Sequence, residues 1–449
     1  MLLQVAPVRD SVTVTESTTY LSAVTSTGTK TLTPLRDIPQ SISVVTREQI
    51  HDQMMMSVGD VVRYVPGVTA IQGENNRDQV VIRGNSSSAD FFVDGVRDDV
   101  QYYRDLYNLE RVEVLKGPNA MIFGRGGGGG VINRVTKTAD FMRLGEITLQ
   151  GGSYNNKRFA TDFDHPLLRD KMAFRLNGIY ENSGSFRKYV DLERYGVSPS
   201  LTIAPGPNTT FRVGYEYFRD TRLADRGIPS FQGRPANVDI ATFYGDPDRS
   251  RVNARVNLGT VTAEHQFGRV LLRNRTMVGD YDRFYQNFVP GAVTPDQQQV
   301  ALSTYNNATQ RRNLFNQTDA ISTIRTGFLR HTLLVGAEAG RQITDNLRNT
   351  GFFNNTAASI FVPYADGTTH IPLVYRPNAT DANNHLHQLL EICSTFTMKG
   401  ASPDVVKSRL FPFSLVGKAK QWFYLNRATL TSWDACSNAF LAGYFPLGK

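Results

Sequence analysis

Leu109-Glu110-Arg111-Val112-Glu113-Val114-Leu115-Lys116-Gly117-Pro118 is the stretch on which the fold turns, because it stands inside an ordered series of blocks. Upstream come Val81-Ile82-Arg83-Gly84 and Phe92-Val93-Asp94-Gly95-Val96. Downstream come Phe123-Gly124 and Gly129-Gly130-Val131-Ile132-Asn133-Arg134-Val135-Thr136-Lys137. The Asp94-Gly95 pair suits a tight hairpin turn. Glu110, Arg111, Glu113 and Lys116 supply charges able to pair across an interface. Gly124 to Gly129 satisfies G-x-G-x-x-G, but a dinucleotide loop needs a helix after it, and Val131–Thr136 is strand-like. The run Gly126–Gly130 is therefore read as a flexible turn.

Outward from these blocks, residues 1 to about 140 mix short strands, short helices and glycine-rich turns. Thr46-Arg47-Glu48-Gln49 is a capping-box pattern that predicts a helix through Met56, with Met54, Met55 and Met56 as core filler on it. Ser57-Val58-Gly59-Asp60 opens a second helix that must end before Pro66-Gly67. From about 144 to 345 the period changes to two. Phe211, Val213, Tyr215 and Tyr217 share one strand face; Val252, Ala254, Val256 and Leu258 share another, as do Met172, Phe174, Leu176 and Tyr180. Such alternation places one face against apolar surroundings and the other against water. Short turns are expected at Leu167–Lys171, Pro205–Asn208, Gln266–Val270 and Phe328–His331. Longer polar connections are expected at Phe218–Arg249 and Tyr281–Val300. Short turns at one end and long loops at the other describe an outer-membrane barrel, with a soluble β-sandwich as the alternative. Roughly nine strands can be read, against about 22 in transporters with a plugged lumen, so the sheet is expected to remain incomplete.

In their order and spacing the blocks closely resemble the plug domain of TonB-dependent siderophore receptors. The resemblance extends upstream to Ile38-Pro39-Gln40-Ser41-Ile42 and downstream to about Asn384. It implies that Arg83, Gly84, Asp94, Gly95, Glu110, Arg111, Glu113, Lys116, Gly117, Pro118, Gly130 and Asn133 are structural, holding the plug against itself and the barrel wall. Asp10, Ser11, Val12, Thr13, Val14 and Thr15 resemble a TonB box, an extended segment able to add as a strand to a partner's sheet. The family hydrolyses nothing: it is no enzyme, it has no covalently bound cofactor or resident metal site, and it draws energy through TonB from the inner membrane. The implied ligand is a ferric siderophore, and Arg219–Pro229 and Ala379–Asn384 look most like the catecholate branch. Arg97, Tyr102, Tyr103 and Arg104 would lie on a plug apex loop and could meet an anionic, aromatic-rich ligand. The implied location is the cell outer membrane, with TonB, the siderophore and outer-membrane lipids as partners. Nucleic acid is not an expected partner of residues 1–384.

After about Asp381 the texture changes to helical spacing. Leu389–Phe396, Arg409–Leu415, Lys418–Trp422 and Thr431–Asp434, with Phe440 and Tyr444–Pro446, resemble the gag capsid-like domain of long-terminal-repeat retrotransposons. Trp422, Trp433 and Phe440 would be core residues there. The close Cys/His spacing of a zinc knuckle is absent from His385, His387, Cys393 and Cys436. A receptor and a mobile element have no functional reason to share a chain, so a chimeric reading frame with its junction near Asn384–Leu386 is expected. Its barrel edge would be unpaired and prone to aggregation.

Composition is consistent with this layout. Of the 449 residues 40% are hydrophobic and 20% charged, enough for a core and unlike a disordered chain. The net charge of +8 suits an anionic partner (a membrane surface, nucleic acid or an acidic ligand) or simply a mildly basic surface. The two cysteines both lie near the end, so no disulfide scaffold or thiolate zinc site is possible before Cys393. The first ten residues lack the features of a secretory signal, and no apolar run is long enough for a transmembrane helix. The expected fold is thus an α+β plug domain followed by an incomplete antiparallel outer-membrane β-barrel and a short all-α gag-like segment. Its divisions are 1–30 (extension with TonB box), 31–140 (plug), 141–384 (partial barrel) and 385–449 (gag-like fragment).

Overall fold

The computed structural model describes residues 20–117, 123, 128–377, 404, 407, 411, 415, 422–423, 426, 430 and 432–444. They form two compact units: Met1–Arg226 with Arg251–Arg283 and Arg311–Ile343, and Gly227–Ser250 with Phe284–Gln310 and Thr344–Lys449. Asp10–Thr15, Pro118, Gly124–Gly127, His385, His387 and Cys393 lie outside the described residues.

In the first unit a five-stranded mixed sheet runs in the order Ser41–Thr46, Leu109–Lys116, Gly130–Thr136, Phe91–Val93 and Val96–Arg97. Its central strands alternate Val112 and Val114 with Arg111 and Glu113, and Gly130–Thr136 pairs antiparallel to Leu109–Lys116 but parallel to Phe91–Val93. The Phe91–Val93 and Val96–Arg97 hairpin closes on Asp94 (φ 50°) and Gly95 (φ 82°), the two positive values that a tight primed turn requires. A second small sheet, Val68–Ile71, Gln79–Ile82 and Asn85–Ser87, turns on Arg83 (φ 49°) and Gly84 (φ 86°) in the same way.

Two short helices cover one core. Thr46 caps the helix Arg47–Asp52, and Ser57 and Asp60 form a reciprocal capping box on Val58–Val62. Val58, Val61 and Val62 are fully buried with Val80, Ile82, Phe91 and Val112. The first helix stops at Asp52, four residues short of Met56, because Met54 takes φ 50°. Of the three methionines only Met55 is core; Met54 is exposed.

A long meander follows: Leu144–Gly152, Asn156–Leu168, Met172–Gly184, Asp191–Gly206, Thr209–Leu223, Arg251–Phe267, Val270–Val293, Gln299–Thr326 and Leu329–Phe353. Ser359–Pro363 and Leu373–Pro377 bring the sheet to 11 strands. The first three tight turns lie where expected, but the fourth centres on Gly327–Phe328, and His331 is already in a strand. The expected loop Tyr281–Val300 is mostly strand, running to Val293 and resuming at Gln299. Arg283 and Asn287 are buried on one face of that strand, while Asp282 and Gln286 lie on the other.

The faces of the meander differ. Along Met172–Gly184, Arg175, Asn177 and Glu181 are buried while Met172, Phe174 and Leu176 are half-exposed. Ile147, Leu149, Phe159, Phe163, Phe211 and Val213 are exposed on strands of the same sheet. Apolar side chains therefore point out and polar ones in, the reverse of a water-soluble domain. The outward apolar band has an edge: Tyr180 pairs with Tyr195, whose ring lies 6.1 Å from that of Tyr217. Beyond that row the outward residues turn polar, with Arg219 opposite Arg255 and Thr221 opposite Asn253. On Arg251–Phe267 the apolar stripe Val252, Ala254, Val256 and Leu258 instead faces inward, where Ala254, Val256 and Leu258 pack with Val93, Val96, Val100 and Tyr102.

In the second unit Tyr244–Gly245 pairs parallel with Gly367–Thr368. Its core holds Tyr244, Phe288, Val300, Leu302 and Phe353. Near the C-terminus the helix Trp433–Tyr444 is capped by Ser432 Oγ, which accepts the Ala435 amide at 3.1 Å. Phe411 packs edge-on to Phe423, Trp433 and Phe440, its ring centroid 5.2–6.0 Å from theirs. Cys436 is buried and free. Among the described residues no helix is long and apolar enough to cross a membrane, which says nothing about strands.

Candidate plug and sheet interface

The centre of the interface is the Asp98 carboxylate. Side-chain exposure is 0% for Asp98 and Arg104 and 2% for Arg134. Asp98 Oδ2 accepts from Arg134 Nη2 at 2.6 Å, Tyr102 Oη at 3.0 Å and Arg104 Nε at 3.1 Å. Its Oδ1 accepts from Tyr281 Oη, on a meander strand, at 3.1 Å. Arg104 spends its remaining donors on the Val100, Asp98 and Tyr102 carbonyls and on Asp78, and its guanidinium lies 4.1 Å from the centre of the Phe91 ring. Burial alone would raise the Asp98 carboxyl, but Arg104 and Arg134 outweigh it and hold it below the ordinary carboxylate value. At Asp78 burial wins over Arg104 and its carboxyl is raised.

Further pairs join the five-stranded domain to the sheet. Asp105 meets Arg158 at 2.7 Å and Arg194 at 3.1 Å, and both arginines also reach Glu181. Asp99 accepts from Arg311 at 2.7 Å and Gln342 at 3.1 Å, while Arg283 reaches Gln101 Oε1 at 2.9 Å. Lys137 and Arg175 share Asp162 at 2.9 and 2.8 Å. Arg275 donates to the Asp94 carbonyl. Between these contacts lies a cavity of about 470 Å³ with Glu110, Arg111, Lys137, Arg175, Arg212 and Glu216 on its walls.

The motif residues play unequal parts. Glu113, fully buried, accepts from Arg111 Nε at 2.5 Å and Thr25 Oγ1 at 2.6 Å. Asn133 accepts the Gly95 amide at 2.9 Å and donates to Thr27 at 2.9 Å. Asp94 accepts from Thr136 Oγ1 at 2.6 Å and its amide at 3.0 Å. Among the described residues Lys116 reaches no carboxylate; it donates to Ser43 Oγ at 3.2 Å and the Pro66 carbonyl at 3.3 Å, and burial plus the nearby Arg83 lower its pKa. Gly117 donates its amide to the Gly129 carbonyl.

Of the four residues expected to meet a ligand, Arg97, Tyr102 and Arg104 are buried. Arg97 stacks 5.1 Å over Phe92; Tyr103 donates to the Gln72 carbonyl at 3.0 Å beneath the Arg222 guanidinium, and burial pushes its phenol up to about 12. Their positions suit bracing better than ligand contact. Asp98, Asp105 and Tyr281 escaped the sequence reading. The clue in the sequence was only a run of charges, Arg97-Asp98-Asp99, and nothing in it names a partner.

The carboxyl shifts carry a sign. Asp105 is also held below its ordinary value, burial opposing and Arg194 and Arg158 prevailing. A depressed folded pKa stabilises above the unfolded value and is lost as pH falls through the folded one. Stability at this interface is therefore expected to decline below about pH 4, where unfolded Asp begins to protonate. Asp105→Asn should flatten that decline in proteolysis followed across pH, and an unchanged profile would contradict it.

Residues 34–131 match the family model of the TonB-dependent Receptor Plug Domain. The chain is 28% identical over 387 residues to the probable TonB-dependent siderophore receptor PiuA of Acinetobacter baumannii, covering 79% of this chain and 51% of that protein. It is 33% identical to the probable TonB-dependent receptor BfrD of Bordetella pertussis, with 68% and 43% covered. The crystal structure of PiuA superposes with a TM-score of 0.70 at 25% identity, over 77% of this chain and 54% of that one. The ferric-catecholate import receptor Fiu of Escherichia coli K12, in its open form, gives 0.66 at 25%, over 76% and 55%. The chain spans about half the length of the curated relatives it matches. Residues 34–131 thus carry a TonB-dependent receptor plug domain, in a chain whose similarity runs to the TonB-dependent siderophore receptors.

Proposed function

We propose that this chain serves TonB-dependent uptake of a ferric siderophore of the catecholate class across the outer membrane. The observation that carries the reading is the inverted sheet, apolar outside and ion-paired inside against a plug. The outward band ending at Tyr180, Tyr195 and Tyr217 suits a lipid belt with its aromatic rim. Asp10–Thr15 would bind TonB by strand addition, and the motif residues Arg83 to Asn133 would keep the plug seated. In this layout 1–30 is the TonB-contacting extension, 31–140 the plug and 141–384 the barrel portion. No catalytic step is required: ligand binding and a pull on the extension do the work.

The test is iron uptake from a ferric catecholate by cells lacking their own receptors. Uptake given by the chain should fall to background with Val12→Pro, which removes a ladder donor from the extension. Uptake equal in the variant would count against the TonB role.

A second reading has its own support. The ring cluster of Phe411, Phe423, Trp433 and Phe440 is a small helical core of the kind the gag-like resemblance implies for 385–449. On that reading the chain is a non-functional fusion, active only through self-association or nucleic-acid association of its last segment. Long sequencing reads of genomic DNA and transcript across the codons for Asn384–Leu386 test it. Continuous reads keep the fusion as a gene; their absence confines the receptor reading to the first part.

A further inference from the structure

Outside the interface, the second unit gathers an unlike set of side chains on two long connections. Asp246 and Asp248 follow the strand Tyr244–Gly245, and His370 follows Gly367–Thr368. The parallel pairing of those strands, continued by the Thr369 amide on the Gly245 carbonyl at 3.0 Å, brings the two connections together. One nitrogen and two carboxylate oxygens then lie within 4.8 Å of one another. His370 Nδ1 is 3.5 Å from Asp248 Oδ2 and 3.9 Å from Asp246 Oδ1. Bonds of about 2.0–2.2 Å around a small divalent ion place neighbouring ligand atoms roughly 3.3 Å apart, so little movement is needed.

We propose that Asp246, Asp248 and His370 bind a divalent transition-metal ion that clips the two connections together. An imidazole among carboxylates favours zinc, cobalt or manganese over calcium and magnesium, which prefer all-oxygen sets. Asp246 is buried and oriented by the Asp248 amide at 2.9 Å, while Asp248 and His370 are exposed and able to close on the ion. Ser250, whose amide donates to the Asp246 carbonyl at 2.9 Å, is fully buried with an unpartnered hydroxyl, a further oxygen on the same turn. Arg249, 3.6 Å from Asp246 and with its side chain 43% exposed, swings aside when the ion enters.

Gly245 makes the approach possible. It has φ +151°, and a Cβ there would meet Phe243, Phe288 and the Ser250 hydroxyl at 3.1–3.2 Å. The set was invisible in sequence because its third ligand comes from a distant connection.

The test uses the full chain in detergent, with His385→Ala and His387→Ala to remove the other close histidine pair. Equilibrium dialysis against Zn²⁺ should give one ion per chain, and Co²⁺ should give visible ligand-field bands. His370→Ala and Asp248→Asn, both at exposed positions, should each weaken binding at least tenfold and abolish the bands. Undiminished binding in both variants would overturn the proposal, as would the absence of any bound ion in the parent. The receptor reading does not depend on this site, so the two fail separately.

Discussion

Asp98→Ala is expected to loosen the plug strand Gly130–Thr136 by about 3–5 kcal/mol, the usual consequence of removing one partner from a buried charge network. The carboxylate is the shared acceptor of Arg104, Arg134, Tyr102 and Tyr281, and none of that cluster reaches solvent to recover its hydrogen bonds. Asp98→Asn keeps the shape and an acceptor but loses the charge, and should fall between the parent and the alanine variant. Amide hydrogen exchange of that strand in the full chain measures the effect, as a rise of roughly 10²–10⁴-fold in opening for the alanine variant. A change below threefold would show that the network does not hold the plug.

Gly130→Ala should be nearly as damaging, by about 2–4 kcal/mol, through strain and overpacking together. Gly130 has φ +148°, and a Cβ there would press on the Leu115 carbonyl, with Lys116 Cα at 3.1 Å and Ile82 Cγ2 at 3.2 Å. Backbone on the neighbouring strand cannot move aside without breaking the ladder from Gly130 to Lys116. Gly128→Ala is the matched control, since that position is exposed and a Cβ meets nothing within 4 Å. Equal exchange rates in the two variants would contradict the account.

This contrast shows where sequence sufficed. The hairpin at Asp94-Gly95, both helix caps and the two-residue period of the meander were legible because each is set by neighbours in the chain. Gly130 was read as part of a flexible turn, although it is fixed by a strand from a different block. Tyr281–Val300 was read as a long polar connection, yet Arg283 and Asn287 lie on the buried face of a strand that runs to Val293. Arg104 was expected to meet a ligand; its charge is in fact matched by Asp98 and Asp78, neither predictable as its partner. Charge pairing over long sequence separations is decided by topology, and topology is the part that periodicity does not encode.

The central claim, a ligand-responsive receptor coupled to TonB, is tested most directly by crosslinking. Val12→Cys in the full chain, in outer-membrane vesicles, is offered a TonB periplasmic domain carrying a single cysteine, with and without a ferric catecholate. The account predicts a disulfide-linked product that increases when the ferric ligand is present and disappears when Val14→Pro, which removes a ladder donor but keeps the cysteine, is added. A product that ignores the ligand, or that survives Val14→Pro, would contradict it.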